Sequence, residues 1–307
     1  AHGGAVAPTL RSSPHGRTPL VLLLAALVIA AADMTDTSGL PEREPAAVGM
    51  SSARLSTIDR VVQRGIDAGG YPGAAVVVGR KGYSVLSRGF GALDWSGRAR
   101  VSSRESLYDL ASLTKVVATT TAIMVLFDAG KVDLDAPVSR YLPDFSGGRR
   151  DQVTVRHLLT HRAGLPAGRE LWRIAKTPAA ARAAVLASPI QCTPGSCYEY
   201  SDLGADLLGF VAEAASGQSL DAFLERSVFT KLGMTDTHFR PDAMSSVRTA
   251  PTEIAPPRGY PLQGQVHDEN AYALGGVAGH AGLFGTADDL AIFAQMMLNG
   301  GIYNGVR

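Results

Sequence analysis

The stretch from Gly73 to Leu93 constrains the fold of this chain more than any other. Gly73–Arg80 is rich in valine, Tyr83–Leu93 alternates apolar and polar side chains, and only Lys81-Gly82 separates them. Two such runs around a two-residue turn predict an antiparallel hairpin. Most of the remaining periodicity is helical. Ser52–Ala68 places Leu55, Ile58, Val61, Val62 and Ile66 at helical spacing and stops at Gly69-Gly70. Helices are also expected over Val155–His161, Pro178–Leu186, Leu203–Ala215 and Leu220–Val228. Another follows Thr286, with Asp288 and Asp289 in its first turn and Gly300-Gly301 at its end. This order predicts an α/β (α+β) chain, an antiparallel sheet flanked by helices with a large all-helical insertion. Residues 48–111 and 271–307 are assigned to the sheet-containing unit, and 112–270 to the helical unit.

Ahead of these elements, Arg11 and Arg17 precede an apolar run from Leu20 to Ala32 that ends in Ala30-Ala31-Ala32. A membrane span needs about twenty apolar residues, so residues 1–32 are expected to be a cleaved signal peptide rather than an anchor. Residues 33–47, with Pro41 and Pro45, read as a linker. The expected location is therefore exported, periplasmic or extracellular, with association with the cell envelope open. The 29 basic and 28 acidic side chains balance, which gives no electrostatic reason to expect a nucleic-acid partner. In an oxidising compartment Cys192 and Cys197, on either side of Thr193-Pro194-Gly195-Ser196, are expected to form a disulfide. Two free thiols and a two-cysteine metal site are the alternatives.

Chemistry enters at Ser112-Leu113-Thr114-Lys115. Of the five lysines, only Lys115 has a serine three positions upstream. The tetrapeptide opens a helical stripe of Leu113, Val116, Val117, Thr120, Ile123, Met124 and Phe127 that ends at Gly130. Side chains three apart on a helix share a face, so the hydroxyl and the amine should meet. The bland alternative is a helix-capping serine beside a solvated lysine. Later in the chain, Tyr200-Ser201-Asp202 stands just before the helix at Leu203, a junction from which a phenol can project into a cleft.

Taken in order, these stretches resemble the serine hydrolases of the β-lactamase and penicillin-binding-protein family, in the branch near class C β-lactamases and related esterases. The resemblance runs from about Ala46 to Gly301. It rests on Leu110–Lys115, Gly130–Val138, Tyr141-Leu142-Pro143, His157–Pro166, Tyr200–Gly204 and Gly279–Leu290. It implies a β-lactamase/transpeptidase-like fold and an acyl-enzyme formed on Ser112, with no cofactor. Lys115, partly desolvated near a helix N-terminus, would be the base, directly or through Tyr200. The Ser112 N–H would supply half of an oxyanion hole. Substrates would be small molecules or peptidoglycan-derived: an ester, a D-alanyl peptide or a β-lactam.

Two departures qualify that picture. The second motif ends in Asp202 where the family often has asparagine, and a carboxylate cannot donate the amide hydrogen bond. Asp202 is still expected on the substrate side of the site. No Lys-Thr-Gly or His-Thr-Gly triad occurs, and His280-Ala281-Gly282 is its only look-alike. The sheet is accordingly expected to be incomplete at the C terminus, lacking the strand that carries the third motif. Two other function classes stay open. One is a non-catalytic, penicillin-binding-like cell-wall module. The other is a metal-dependent hydrolase built on His157 and His161, with His267 or Asp268, although Leu158 stands where a zincin would need glutamate. The expected reading has no metal, and these histidines then cap or brace helices.

Overall fold

The hairpin forms where the alternation placed it. In the computed structural model, which describes residues 1–4 and 39–307, β1 (Gly73–Arg80) pairs antiparallel with β2 (Tyr83–Gly91). Lys81 and Gly82 both take positive φ, 55° and 85°, the backbone of the two-residue turn that matches strand twist. Helix α1 (Thr57–Asp67) packs against β2, after a separate helical turn at Ser52–Leu55. Gly89 of β2 accepts no side chain, since a Cβ there would lie 1.8 Å from the Val101 carbonyl oxygen of the overlying segment.

A second sheet departs from the expected single one. Tyr108–Asp109 (β3), the two-residue strand His238–Phe239 (β4) and Leu283–Gly285 (β5) make three antiparallel strands in the order β3-β5-β4. β4 lies within the stretch assigned to helices alone. Residues 39–307 nevertheless belong to one compact unit. The expected signal peptide, apart from its first four residues, lies outside the described residues. So does the first part of the expected linker. Its described part, residues 39–47, is not a free lead-in: Leu40 is buried in the core and Glu42 bridges to Ser84 of β2.

In the helical stretch, α2 (Thr121–Asp128) is entered through a π-helical segment, Lys115–Thr120. Helix α3 (Val155–Leu159) and the long α5 (Asp202–Ser216) lie against each other, and α4 (Pro178–Leu186) closes on α5. Caps start these helices: Thr154, Thr177 and Ser201 each accept a first-turn N–H, and Gly217 ends α5 in the left-handed region. Val117, Ala118, Ile123 and Leu126 bury against Leu158, Leu207 and Val211, and each large side chain so buried is worth about 1.5–3 kcal/mol. The rest of the predicted stripe points the other way. Leu113, Val116, Met124 and Phe127 are 40–51% exposed, so the helix is apolar on two faces and covered on one.

After α6 (Glu269–Ala273) and β5, α7 (Ala287–Leu298) returns to the hairpin and packs on β1. Polar bonds fasten it: the Gly82 N–H donates to Gln295, and the Ser87 hydroxyl donates to Asp288. Among the described residues no helix is long and apolar enough to cross a membrane.

Candidate active site

Strand β3 delivers the nucleophile candidate. Two residues past its end, Ala111 takes φ 44°, a left-handed conformation that costs an alanine on the order of 1 kcal/mol. That turn swings Ser112 out of the strand direction to the surface, just before the helical residues begin. The Ser112 N–H has no hydrogen-bond acceptor among the described residues, while the N–H groups of Leu113, Thr114 and Lys115 are all taken.

Lys115 is 7% exposed, and its ammonium nitrogen meets three oxygens: Ser112 Oγ at 2.9 Å, the His280 carbonyl at 3.1 Å and Asp202 Oδ1 at 2.7 Å. The Ser–Lys spacing thus produces the contact read from the sequence. The Asp202 contact was not foreseen. Asp202 heads α5 and is an ion-pair partner of the lysine. Two neighbours of Lys115, at the start of the π-helical segment and within it, stitch that segment to residues 279–283. Thr119 donates to the Gly279 carbonyl, and Thr114 accepts the Leu283 N–H. Gly279 also lets α5 approach closely: a Cβ there would stand 2.0 Å from the Ala205 carbonyl oxygen.

Tyr200 arrives differently. It is 46% exposed, and its ring centroid lies 5.0 Å from the Lys115 nitrogen. No hydrogen bond joins its hydroxyl to Ser112 or Lys115 among the described residues. What holds it is His161, whose ring packs on Tyr200 at 4.6 Å and whose Nδ1 accepts the Ser201 N–H. Burial, and then the Lys115 charge, holds the His161 imidazole below its ordinary value, with Asp202 pulling the other way.

The other histidines considered for a metal have structural partners. His157 Nδ1 accepts the Thr154 N–H in a reciprocal capping box. His267 offers its backbone N–H to Asp109. Asp268 caps α6 and binds His280. Among the described residues no group of three or more His, Cys, Asp or Glu is arranged to hold a metal ion. The disulfide joins Cys192 and Cys197, and its loop packs beside the residues that carry His157 and His161: the Gly195 N–H donates to the Arg162 carbonyl.

His280-Ala281-Gly282 does not face the cleft as a third motif would. The His280 ring is 1% exposed and sits between two carboxylates, Nδ1 at 2.7 Å from Asp206 and Nε2 at 2.8 Å from Asp268. Burial alone would drive its proton off; the two aspartates outweigh burial and push the imidazole up to about 10. Burial acts in the opposite sense on Asp268 and would raise it, but the bond to His280 brings it down to about 2. Only the main chain of His280 reaches the site, through the carbonyl on Lys115. Two cavities of about 640 and 630 Å³ exist elsewhere, and neither is lined by Ser112, Lys115 or Tyr200.

A nucleophile–amine pair at a strained strand-to-helix turn, on a small antiparallel sheet with a helical layer, matches known proteins closely. The β-lactamase family model matches residues 58–305. The chain belongs to the β-lactamase family. An Escherichia coli (strain K12) protein named D-alanyl-D-alanine carboxypeptidase is 33% identical over 307 aligned positions, covering 87% of this chain and 69% of that protein. Among solved structures, this β-lactamase-family chain is similar to an octameric penicillin-binding protein homologue from Pyrococcus abyssi. The TM-score is 0.66 at 23% identity, over 81% of this chain and 57% of the archaeal one. It is also similar to a hydrolase with promiscuous acyltransferase activity, with a TM-score of 0.64 at 26% identity, over 84% and 76% of the two chains. The chain therefore spans little more than half the length of the archaeal structure.

Proposed function

We propose that this chain is a serine hydrolase that forms an acyl-enzyme on Ser112, with a D-alanyl peptide carbonyl as its substrate class. The observation that carries the reading is the three-oxygen setting of Lys115. Asp202 and the His280 carbonyl can only accept hydrogen bonds, so they occupy two N–H directions of the nitrogen. The remaining direction points at Ser112 Oγ. In the amine form that direction is the lone pair that takes the serine proton; in the ammonium form it is the N–H that hands the proton on. The oxygen freed of its proton then attacks the carbonyl carbon, and the Ser112 N–H, unpartnered among the described residues, would receive the developing oxyanion, a role worth about 3–4 kcal/mol.

Tyr200 enters this scheme as the group that protonates the departing amine and later activates water. It reaches the reacting atoms by a side-chain rotation that its exposure permits. The names carried by the relatives favour a D-alanyl peptide. The carboxylate at Asp202 favours a second class, simple esters, because it offers no amide donor to an acylamide substrate. The 13-residue apolar run at Leu20–Ala32 and the Cys192–Cys197 disulfide support an exported protein, periplasmic or extracellular.

The test is intact-mass spectrometry after incubation with a D-Ala-D-Ala peptide, a p-nitrophenyl ester and a penicillin. An acyl adduct mapped to Ser112 and absent from Ser112→Ala is expected. No adduct from any of the three, or an adduct that persists in Ser112→Ala, would refute the reading.

A further inference from the structure

We propose that Asp109 is a positioning residue for the nucleophile, acting by closing a hydrogen-bonded circuit that fixes Ser112 and Lys115 relative to each other. The inference rests on the Ser112–Lys115 reading given above.

Asp109 ends β3 three residues before Ser112. Its Oδ1 accepts the Ala111 N–H at 2.9 Å, and its Oδ2 accepts the His267 N–H at 2.7 Å. The first bond clamps the one residue between strand and nucleophile whose backbone is left-handed, so it holds the turn that aims Ser112. The second bond leads out of the strand to the loop before α6. The residue after His267 is Asp268, which holds His280 Nε2; the His280 carbonyl holds the Lys115 nitrogen, and that nitrogen reaches Ser112 Oγ. From Ser112 the main chain returns through Ala111 to Asp109. Every link in this ring is a hydrogen bond or a covalent step of a few atoms. The 2.9 Å between Ser112 Oγ and Lys115 is therefore set jointly by the β3 turn and by the 267–268 loop. Pairing of Asp109 with Phe284 in the sheet register fixes the strand itself. Burial raises the Asp109 carboxyl and the two amides lower it, as expected of a half-buried acceptor whose only task is to hold N–H groups.

Removing the acceptor should leave the core intact and loosen the aim of Ser112. The experiment compares the full chain with Asp109→Ala and Asp109→Asn, using a fluorophosphonate probe and backbone hydrogen exchange. For Asp109→Ala the maximal rate of Ser112 labelling is expected to fall about a hundredfold or more, the scale of loss when a reacting group is misplaced. The probe concentration for half-maximal rate is expected to change less than about threefold, because binding is not what the circuit controls. Asp109→Asn keeps one acceptor oxygen and is expected to recover at least about tenfold of the lost rate. Exchange at residues 109–114 and 265–268 should quicken in Asp109→Ala, while α5 keeps its protection.

Labelling within about threefold of the parent in a folded Asp109→Ala chain would overturn the proposal, as would equal losses in the Ala and Asn variants. If the parent chain takes no label, the serine reading fails. Exchange then decides the circuit alone: unchanged protection at 109–114 and 265–268 would overturn it, and faster exchange confined to those two segments would uphold it.

Discussion

Lys115 and Tyr200 lie side by side and are held there by opposite means. Lys115 is buried, and each of its three contact directions ends on an oxygen supplied by a different segment: the β3 turn, α5 and the loop before β5. Tyr200 is nearly half exposed and rests on ring faces, His161 on one side and the lysine nitrogen at 5.0 Å. Directional hydrogen bonds in a dry setting define a position to a few tenths of an ångström, whereas ring contacts define a plane and leave rotation free. The difference separates a group that must be in place before substrate arrives from one that can settle around it.

The largest effect should come from breaking the rigid partner. Lys115→Ala is expected to cut acylation of Ser112 by about 10²–10⁴-fold, measured in single-turnover labelling. Tyr200→Phe keeps the ring on His161 and deletes only the hydroxyl. If the two share one proton-transfer task, the double variant should be little worse than Lys115→Ala alone. Fully additive losses would show that they act separately.

Next in size is the support under the lysine. His280→Ala leaves Asp206 and Asp268 without their shared cation, which should cost about 3–5 kcal/mol of stability, read by denaturant melts. The pH dependence has a definite sign. Because the His280 value is raised from 6.5 to about 10, its contribution is complete below 6.5 and is lost as pH climbs through 10. Asp268, lowered from 3.8 to about 2, contributes above 3.8 and loses that contribution as pH falls toward 2. A melt profile flat from pH 6.5 to 10 would contradict the buried triad.

Smaller effects probe the adaptable side. Reducing the Cys192–Cys197 bond opens a short loop worth about 2 kcal/mol in the chain-entropy model. A few degrees should be lost in thermal melting, with the labelling rate of Ser112 little changed. The smallest shift concerns His161. Its imidazole is held low, so the neutral form persists when the unfolded chain already takes up a proton. Stability from that group is present above 6.5 and declines as pH falls below it. His161→Phe, which cannot accept the Ser201 N–H, should remove this acid-side slope.

Some of this was legible in the residues and some was not, for identifiable reasons. The hairpin was readable because its register and turn are local. So was the Ser112–Lys115 contact, because a spacing of three at a helix start brings the two side chains within reach. The separation of β3, β4 and β5 into their own sheet was not, because strands of two or three residues carry no alternation to read. The Asp202–Lys115 ion pair was not, since nothing in Tyr200-Ser201-Asp202 reveals that α5 points the carboxylate at Lys115. The triad under the site did leave a trace. Asp206 interrupts the apolar run of Asp202–Ser216, and an aspartate at the heart of a buried helix demands a partner. The sequence does not say that the partner is His280, 74 residues away.

An arriving substrate meets Lys115 already neutralised by Asp202. The two charges, 2.7 Å apart, form a short dipole, and a dipole's field dies away faster with distance than that of a lone cation. This pair therefore offers little long-range guidance to an anionic peptide over a neutral ester. Encounter through it should be limited by diffusion and orientation, with acylation rates that barely respond to added salt.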